Sequence, residues 1–414
     1  MRAAGFLFAL VLLASSAQAQ DAAFVGATVY PSSDADPIEN AVVLIRDGRI
    51  AAVGPRESTE VPPGIRSVDC TGAFITAGFW NSHVHIFTQR LLHAATETDA
   101  ALDAELEAML NRWGFTTVFD VASVLDNTLA LRRRIKAGKV RGPRILTVGE
   151  PLWTTPPIYV RDFLEANHIE IPVVRSPADA AAQVRAHWRR GADGIKLFTG
   201  SVQRNGIANM PVSMVEAAVQ EAHRRRLPVF AHPQNMEGLE AAIDGHVDIL
   251  AHTAPDSPAW TPAFVSRLTG ARMALIPTLT LFDFEARKAA ATERQREQWL
   301  DKMVGELHAF SKGGGQVLFG TDVGYTDHYD TTMEFELMAK AGLDYRTILA
   351  SLTTSPAARF NAASHSGRVQ AGYDADLVVL EGDPARDVRN FARVRYAIRA
   401  GRTIYGPRRP PRTG

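Results

Sequence analysis

Two histidines one residue apart, His83-Val84-His85, follow the apolar run Phe74-Ile75-Thr76-Ala77-Gly78-Phe79-Trp80. Side chains two apart on a strand share a face, so both imidazoles would project from one strand end, as a first pair of metal ligands does. Further along come Lys196, His232, His252 and Asp322, each in or at the end of a strand-like run. Imidazole nitrogen and carboxylate-type oxygen suit borderline divalent ions such as zinc. A lone strand histidine is more often a satisfied structural residue. Six such groups at the ends of five strands make metal chemistry the stronger reading.

The elements that must carry these residues follow from the alternation along the chain. Short apolar runs at Thr116–Val121, Arg144–Val148, Ile195–Thr199, Val229–His232, Ile249–His252, Met273–Pro277 and Val317–Thr321 join the His83 run to make eight strands. Between them lie helical stretches: Thr98–Trp113, Ala178–Arg190, Ser213–Arg226, Glu237–Asp244, Glu285–Lys312 and Thr331–Ala341. Buried parallel strands read as continuous apolar runs, so the class is α/β, an eightfold (β/α)8 barrel of TIM type. In such barrels the active site lies at the C-terminal strand ends, where all six groups fall. Both ends of the chain instead show short strands with turn punctuation: Phe24–Tyr30, Ala41–Arg46 and Arg49–Val53, then Asp376–Leu380, Arg395–Arg399 and Thr403–Tyr405. Asp47-Gly48 is a hairpin signal. These pieces predict one small β-sandwich module built from residues 20–75 and 363–407, with the barrel spanning 76–362.

The 414 residues are 46% hydrophobic, enough for a large core, and 45 basic residues balance 45 acidic ones. Without a dominant basic patch, nucleic acid is not the expected partner. The Arg/Pro-rich residues 408–414 read as a frayed tail. Arg2, the apolar Phe6–Leu13 and the small-x-small Ala17-Gln18-Ala19 form a secretory signal peptide over residues 1–19. The mature protein would then begin near Gln20, in a periplasmic or secreted location. That apolar run is too short to span a bilayer, and no other segment is long enough, so stable membrane insertion is not expected. Cys70 is the only cysteine, which leaves no intrachain disulfide.

Several segments together resemble the amidohydrolase superfamily, in its imidazolonepropionase-like branch. They are Gly78–His85, Gly191–Lys196, Ala231-His232, Asp248–His252 and Gly320–Asp322, with Gly367–Val369 and Ala371–Val379 resembling the closing segment. The resemblance implies two divalent metal ions, zinc being favoured. His83, His85 and Asp322 would hold the buried ion, and His232 and His252 the outer one. Lys196, carboxylated by carbon dioxide, would bridge both, because an ammonium would repel two cations and a carbamate gives each an anionic oxygen. A buried lysine paired with a carboxylate is the structural alternative. Two metals about 3.5–4 Å apart share a hydroxide and clamp the attacked group, and Asp322 would be the general acid/base.

The resemblance implies hydrolysis of a C–N bond in an amide, cyclic amide or dipeptide-like small molecule. A lactonase, esterase or phosphotriesterase would use the same metals, and a non-catalytic scaffold would not keep every ligand. Substrate contacts belong to loops after the strands. Arg204 suits a carboxylate, and Gln234, Asn235 and His328 are further candidates, with Trp153, Tyr159, Phe282, Tyr325 and Tyr329 as an aromatic set. Relatives that cleave amino acids from acyl or prolyl groups often place a tyrosine where this chain has Met210, which donates no hydrogen bond. Ala251 likewise stands where a glutamate often precedes the histidine. Homo-oligomerisation is left open.

Overall fold

A computed structural model describes residues 21–407. The expected signal peptide and the 408–414 tail lie outside the described residues. The middle of the chain forms parallel strands of almost wholly buried residues. Phe79–Val84, Phe115–Asp120 and Arg144–Thr147 make a three-stranded sheet. Ile195–Phe198, Val229–His232, Ile249–Leu250, Ala274–Leu275 and Gln316–Val317 make a five-stranded one. Backbone hydrogen bonds join the two at both edges. Ser82 donates to the Phe319 carbonyl at 2.7 Å, while Leu152 donates to Lys196 at 2.8 Å and accepts from Phe198 at 2.9 Å. The result is a TIM-barrel-like α/β fold. Phe119, Phe230, Ile249, Ile276 and Leu318 pack together between these strands, and a larger apolar layer lies between strands and helices.

The helices start where the sequence supplies caps. Thr98 accepts from Ala101 N–H ahead of Asp99–Met109, and Ser176 accepts from Asp179 ahead of Pro177–Arg190, which has proline in its first turn. The long helix expected over Glu285–Lys312 is two helices, Leu279–Lys288 and Glu293–Lys312. The reason is local. Ala290 turns at φ 52°, and Thr292 with Gln295 forms a capping box that opens the second helix. Helices Leu125–Lys136, Ile158–Ala166, Pro262–Gly270 and Tyr345–Leu352 were not expected, nor was the hairpin Gly200–Gln203/Gly206–Asn209.

Both ends of the described chain build one eight-stranded mixed sheet. Its path runs Arg402–Tyr405, Val394–Arg399, Leu377–Leu380, Phe74–Ala77, Ala22–Val29, Ile38–Arg46, Arg49–Pro55, with Arg66–Asp69 also paired to Ala22–Val29. The strands pair as a single hydrogen-bonded sheet, which is the extent to which the expected sandwich is seen. The apolar run 74–80 divides at Gly78. Phe74–Ala77 pairs with Leu377–Leu380, and Phe79–Val84 enters the three-stranded sheet. A Cβ at Gly78 would sit 2.1 Å from the Thr116 hydroxyl oxygen, so only glycine lets the chain cross there. Among the described residues no helix is long and apolar enough to cross a membrane.

Candidate active site

The strand ends bring the six predicted groups to one place. His83 lies within its strand and His85 one residue past it, with ring centroids 5.3 Å apart. Asp322 follows the last parallel strand in the left-handed region, φ 60°, and its N–H donates to the His83 carbonyl at 2.9 Å. Its Oδ1 lies 2.7 Å from His85 Nε2 and 3.4 Å from His83 Nε2, and its Oδ2 lies 3.8 Å from His252 Nε2. The ring of His252 is 4.5 Å from that of His83 and 4.7 Å from that of His232. Lys196 comes from the strand next to the one that ends in His232. His83, His85, Lys196, His252 and Asp322 are all buried.

The outer hydrogen bonds fix the imidazole tautomers. His85 Nδ1 meets the Ala122 carbonyl at 2.8 Å, and a carbonyl can only accept, so Nδ1 carries the proton. His252 Nδ1 meets Thr278 Oγ1 at 2.7 Å, and that hydroxyl already donates to the Pro277 carbonyl at 2.9 Å. Here too Nδ1 must donate. With Nδ1 engaged in this way, each ring presents its Nε2 to the Asp322 carboxylate, where a cation bound between them would take the Nε2 lone pair. Both ring nitrogens of His83 and Oδ1 of Asp322 are buried without a hydrogen-bond partner. Such orphaned atoms are rare unless an ion or water satisfies them. The ligand atoms of His83, His85 and Asp322 lie within 4.8 Å of one another. This donor set fits a divalent ion.

Burial and the mutual repulsion of cationic forms keep the cluster able to bind metal. His83 and His252 are held well below the ordinary histidine range, first by desolvation, and His232 falls to about 3 for the same reason. Desolvation brings Lys196 down to about 7, opposed by the Asp322 charge. A neutral amine at this site is thus accessible near neutral pH.

Around the cluster opens a cavity of about 680 Å³. Gln234 lines it and donates to Asp256 Oδ2 at 2.7 Å. The other three substrate candidates are placed elsewhere. Arg204 is exposed on the turn of the Gly200–Asn209 hairpin, and His328 is exposed beyond the last parallel strand, both outside the cavity lining. Asn235 instead caps the helix Met236–Asp244, accepting from Gly238 N–H at 2.9 Å. Met210 is packed in the core. A hydroxyl does reach the site, from the start of the helix Ile158–Ala166: Tyr159 lies 3.5 Å from His232 Nε2. Burial, reinforced by the charges of Asp322 and Glu285, raises its pKa, so it stays a protonated donor.

Two supporting residues carry no signal in the sequence. Thr278, at φ 45°, holds His252. Glu334 accepts from the N–H groups of Leu279 and Thr280 at 2.8 Å each and from the Thr280 hydroxyl at 2.9 Å. It thereby clamps the helix start just after Thr278. No local spacing announces a partner 55 residues away.

The amidohydrolase family profile matches residues 74–404. Ochratoxinase of Aspergillus niger is 22% identical over 454 aligned positions, covering 96% of this chain and 89% of that protein. Imidazolonepropionase of Agrobacterium fabrum is 24% identical, covering 86% and 88%. Among solved structures, a putative prolidase from Bifidobacterium longum superposes with a TM-score of 0.78 at 25% identity, over 95% of this chain and 97% of that one. A Xaa-Pro dipeptidase with bound methionine superposes with a TM-score of 0.79 at 22% identity, over 94% and 100%.

Proposed function

The chain belongs to the amidohydrolase family as a hydrolase of carbon–nitrogen bonds, and from that premise we propose a two-metal enzyme that cleaves an amide, cyclic amide or dipeptide-like bond. The observation that carries this reading is the convergence of partnerless, deeply buried His83 and Asp322 atoms with the His85 lone pair at the floor of a large cavity. In this reading His83, His85 and Asp322 would hold one ion and His232 and His252 a second, with a carboxylated Lys196 as a ligand shared between them. Zinc matches the donor types. When bound, such ions lower the pKa of water and polarise the attacked carbonyl.

The chain's own residues supply the rest. The Lys196 amine, brought down to about 7 by burial and so partly neutral at pH 7, adds to carbon dioxide: an N–C bond forms, a proton leaves, and the product is an anionic carbamate. Asp322, anchored through its N–H, takes a proton from the attacking water as the new O–C bond forms. It passes that proton to the substrate nitrogen as the C–N bond breaks, leaving a carboxylic acid and an amine, which exchange the remaining proton to give carboxylate and ammonium. The Tyr159 hydroxyl donates toward the carbonyl oxygen, where negative charge develops.

The same reading extends to the architecture and the address. The hydrogen bonds joining the two parallel sheets at both edges support a closed eightfold barrel over residues 76–362. The sheet built from both chain ends supports a β-sandwich-like module drawn from residues 20–75 and 363–407. Residues 1–19 are proposed as a cleaved signal peptide, which N-terminal sequencing of periplasmic material tests: a mature start far from Gln20 refutes it. The catalytic reading is tested by metal analysis, followed by a hydrolysis screen across N-acyl amino acids, dipeptides, lactones and phosphotriesters. Cleavage of amides with bound divalent metal is expected. A protein that binds no metal, or that cleaves only esters and phosphotriesters, overturns it.

A further inference from the structure

The cavity wall is unlike its floor. The helix Ile158–Ala166 has no fully buried residue, yet Val160, Phe163 and Leu164 line the cavity, and the Phe163 ring lies 5.1 Å from that of Phe87. On another side of the cavity stands Trp299, which is 45% exposed despite its size. A nine-residue helix that turns its apolar side to an open cavity and not to the core leaves that surface in water until something apolar fills it.

The charges on the lining point the same way. Besides Asp322 it carries two carboxylates, Asp256 and Glu285, and Lys196 is its only lysine or arginine among the described residues. Glu285 accepts from the Tyr325 hydroxyl at 2.6 Å and pairs with the exposed Lys288 ammonium at 3.7 Å, which also donates to that hydroxyl at 3.1 Å. Lys288 is thus already engaged by Glu285 and Tyr325, the lining offers no free guanidinium among the described residues, and a substrate anion placed there would have to displace the Glu285 carboxylate from Lys288. A buried carboxylate without a partner is strongly disfavoured.

Resting on the hydrolase reading above, we infer that the substrate is an amide carrying a bulky, flat apolar group and no carboxylate beside the scissile bond. The apolar group lies against Phe87, Phe163 and Trp299, with the amide at the histidine cluster. A dipeptide or N-acyl amino acid with a free terminal carboxylate is then a poor substrate. This separates the protein from its structural neighbours described as a putative prolidase and a Xaa-Pro dipeptidase.

Three amides isolate the two features: N-(2-naphthoyl)phenethylamine, N-(2-naphthoyl)phenylalanine and N-acetylphenethylamine. The first and second differ by one carboxylate, the first and third by the size of the acyl group. With metal-loaded full-length protein, kcat/KM for the first should exceed each of the others at least tenfold. Glu285→Gln should narrow the gap between the first two, and Phe163→Ser the gap between the first and third. Equal or faster cleavage of the phenylalanine compound, or of the acetyl compound, overturns the inference while leaving the hydrolase reading intact. Metal-loaded protein that cleaves none of the three amides and no dipeptide overturns the hydrolase reading, and the inference with it.

Discussion

Thr278 offers the sharpest test of how the site is held. Its hydroxyl accepts from His252 Nδ1 at 2.7 Å and so aims the Nε2 lone pair at the cluster. Thr278→Ala removes that acceptor. A neutral hydrogen bond of this kind contributes about 1 kcal/mol net to stability, but loss of a partner behind a metal-bound histidine typically costs about 10–100-fold in metal affinity, or about 1.4–2.7 kcal/mol. Threonine at φ 45° is also strained, since a β-branched side chain disfavours the left-handed region. Alanine keeps its Cβ and so most of that strain, which leaves the lost hydrogen bond only partly offset. Folding stability of the metal-free protein should therefore fall by no more than about 1 kcal/mol while the metal is bound more weakly. The assay is metal retention after equilibrium dialysis against graded chelator, alongside thermal unfolding of the stripped protein. Thr278→Ser keeps the hydroxyl and should retain wild-type affinity to within about threefold. Wild-type metal retention in Thr278→Ala, or failure of Thr278→Ser to restore it, refutes the reasoning.

Asp322→Asn keeps the shape but removes the proton acceptor; turnover should fall by about 10²–10⁴-fold with circular dichroism unchanged, and retained turnover would assign the base elsewhere. Lys196→Ala should lose activity and bound metal together, with partial recovery of activity on adding short-chain carboxylic acids; unchanged metal content would count against a bridging carbamate. Glu306 gives a pH prediction. Burial raises its carboxyl to about 8, although Ala254 N–H and the Ser257 hydroxyl donate to it at 3.0 and 3.3 Å. A carboxyl raised from about 4.3 in the unfolded chain gives stability that is fully present below that value and lost as pH rises through about 8. Glu306→Gln should flatten that decline. Denaturant titrations from about pH 5 to pH 9 should then show it gaining on wild type by a few kcal/mol, on the order of 1.4 kcal/mol for each pH unit between the two titrations. A gap independent of pH would show that Glu306 is ionised throughout.

What the sequence disclosed and what it hid divide along a physical line. Strand residues have a fixed period and a fixed direction, so His83-Val84-His85 states its own geometry, and buried parallel strands announce themselves as apolar runs such as Phe115–Asp120. The helix Leu125–Lys136 went unseen because three of its last four residues are basic and Val124 ahead of it offers no side-chain cap. The break at Ala290 was hidden because the residues on either side of it read as helix. Arg204 was chosen for its chemistry, but an unforeseen hairpin carries it away from the cavity into solvent.

The substrate wall had no such period to betray it. Val160 and Phe163 come from a helix whose apolar side ordinarily signals a core contact, and here that contact is an open cavity. Trp299 belongs to the helix Glu293–Lys312, whose other apolar residues do face the core. Each reads as packing on its own, and only the fold shows that they share a cavity with Glu285 and the histidines. The reaction and its specificity are thus written in different registers. The candidate ligands sit in or at the ends of strands, where a fixed period makes a pair such as His83 and His85 legible in the sequence. The wall depends on where separate loops and helices are set down around the strands, and a change there can redirect the enzyme without touching any of the six residues that would hold the metal.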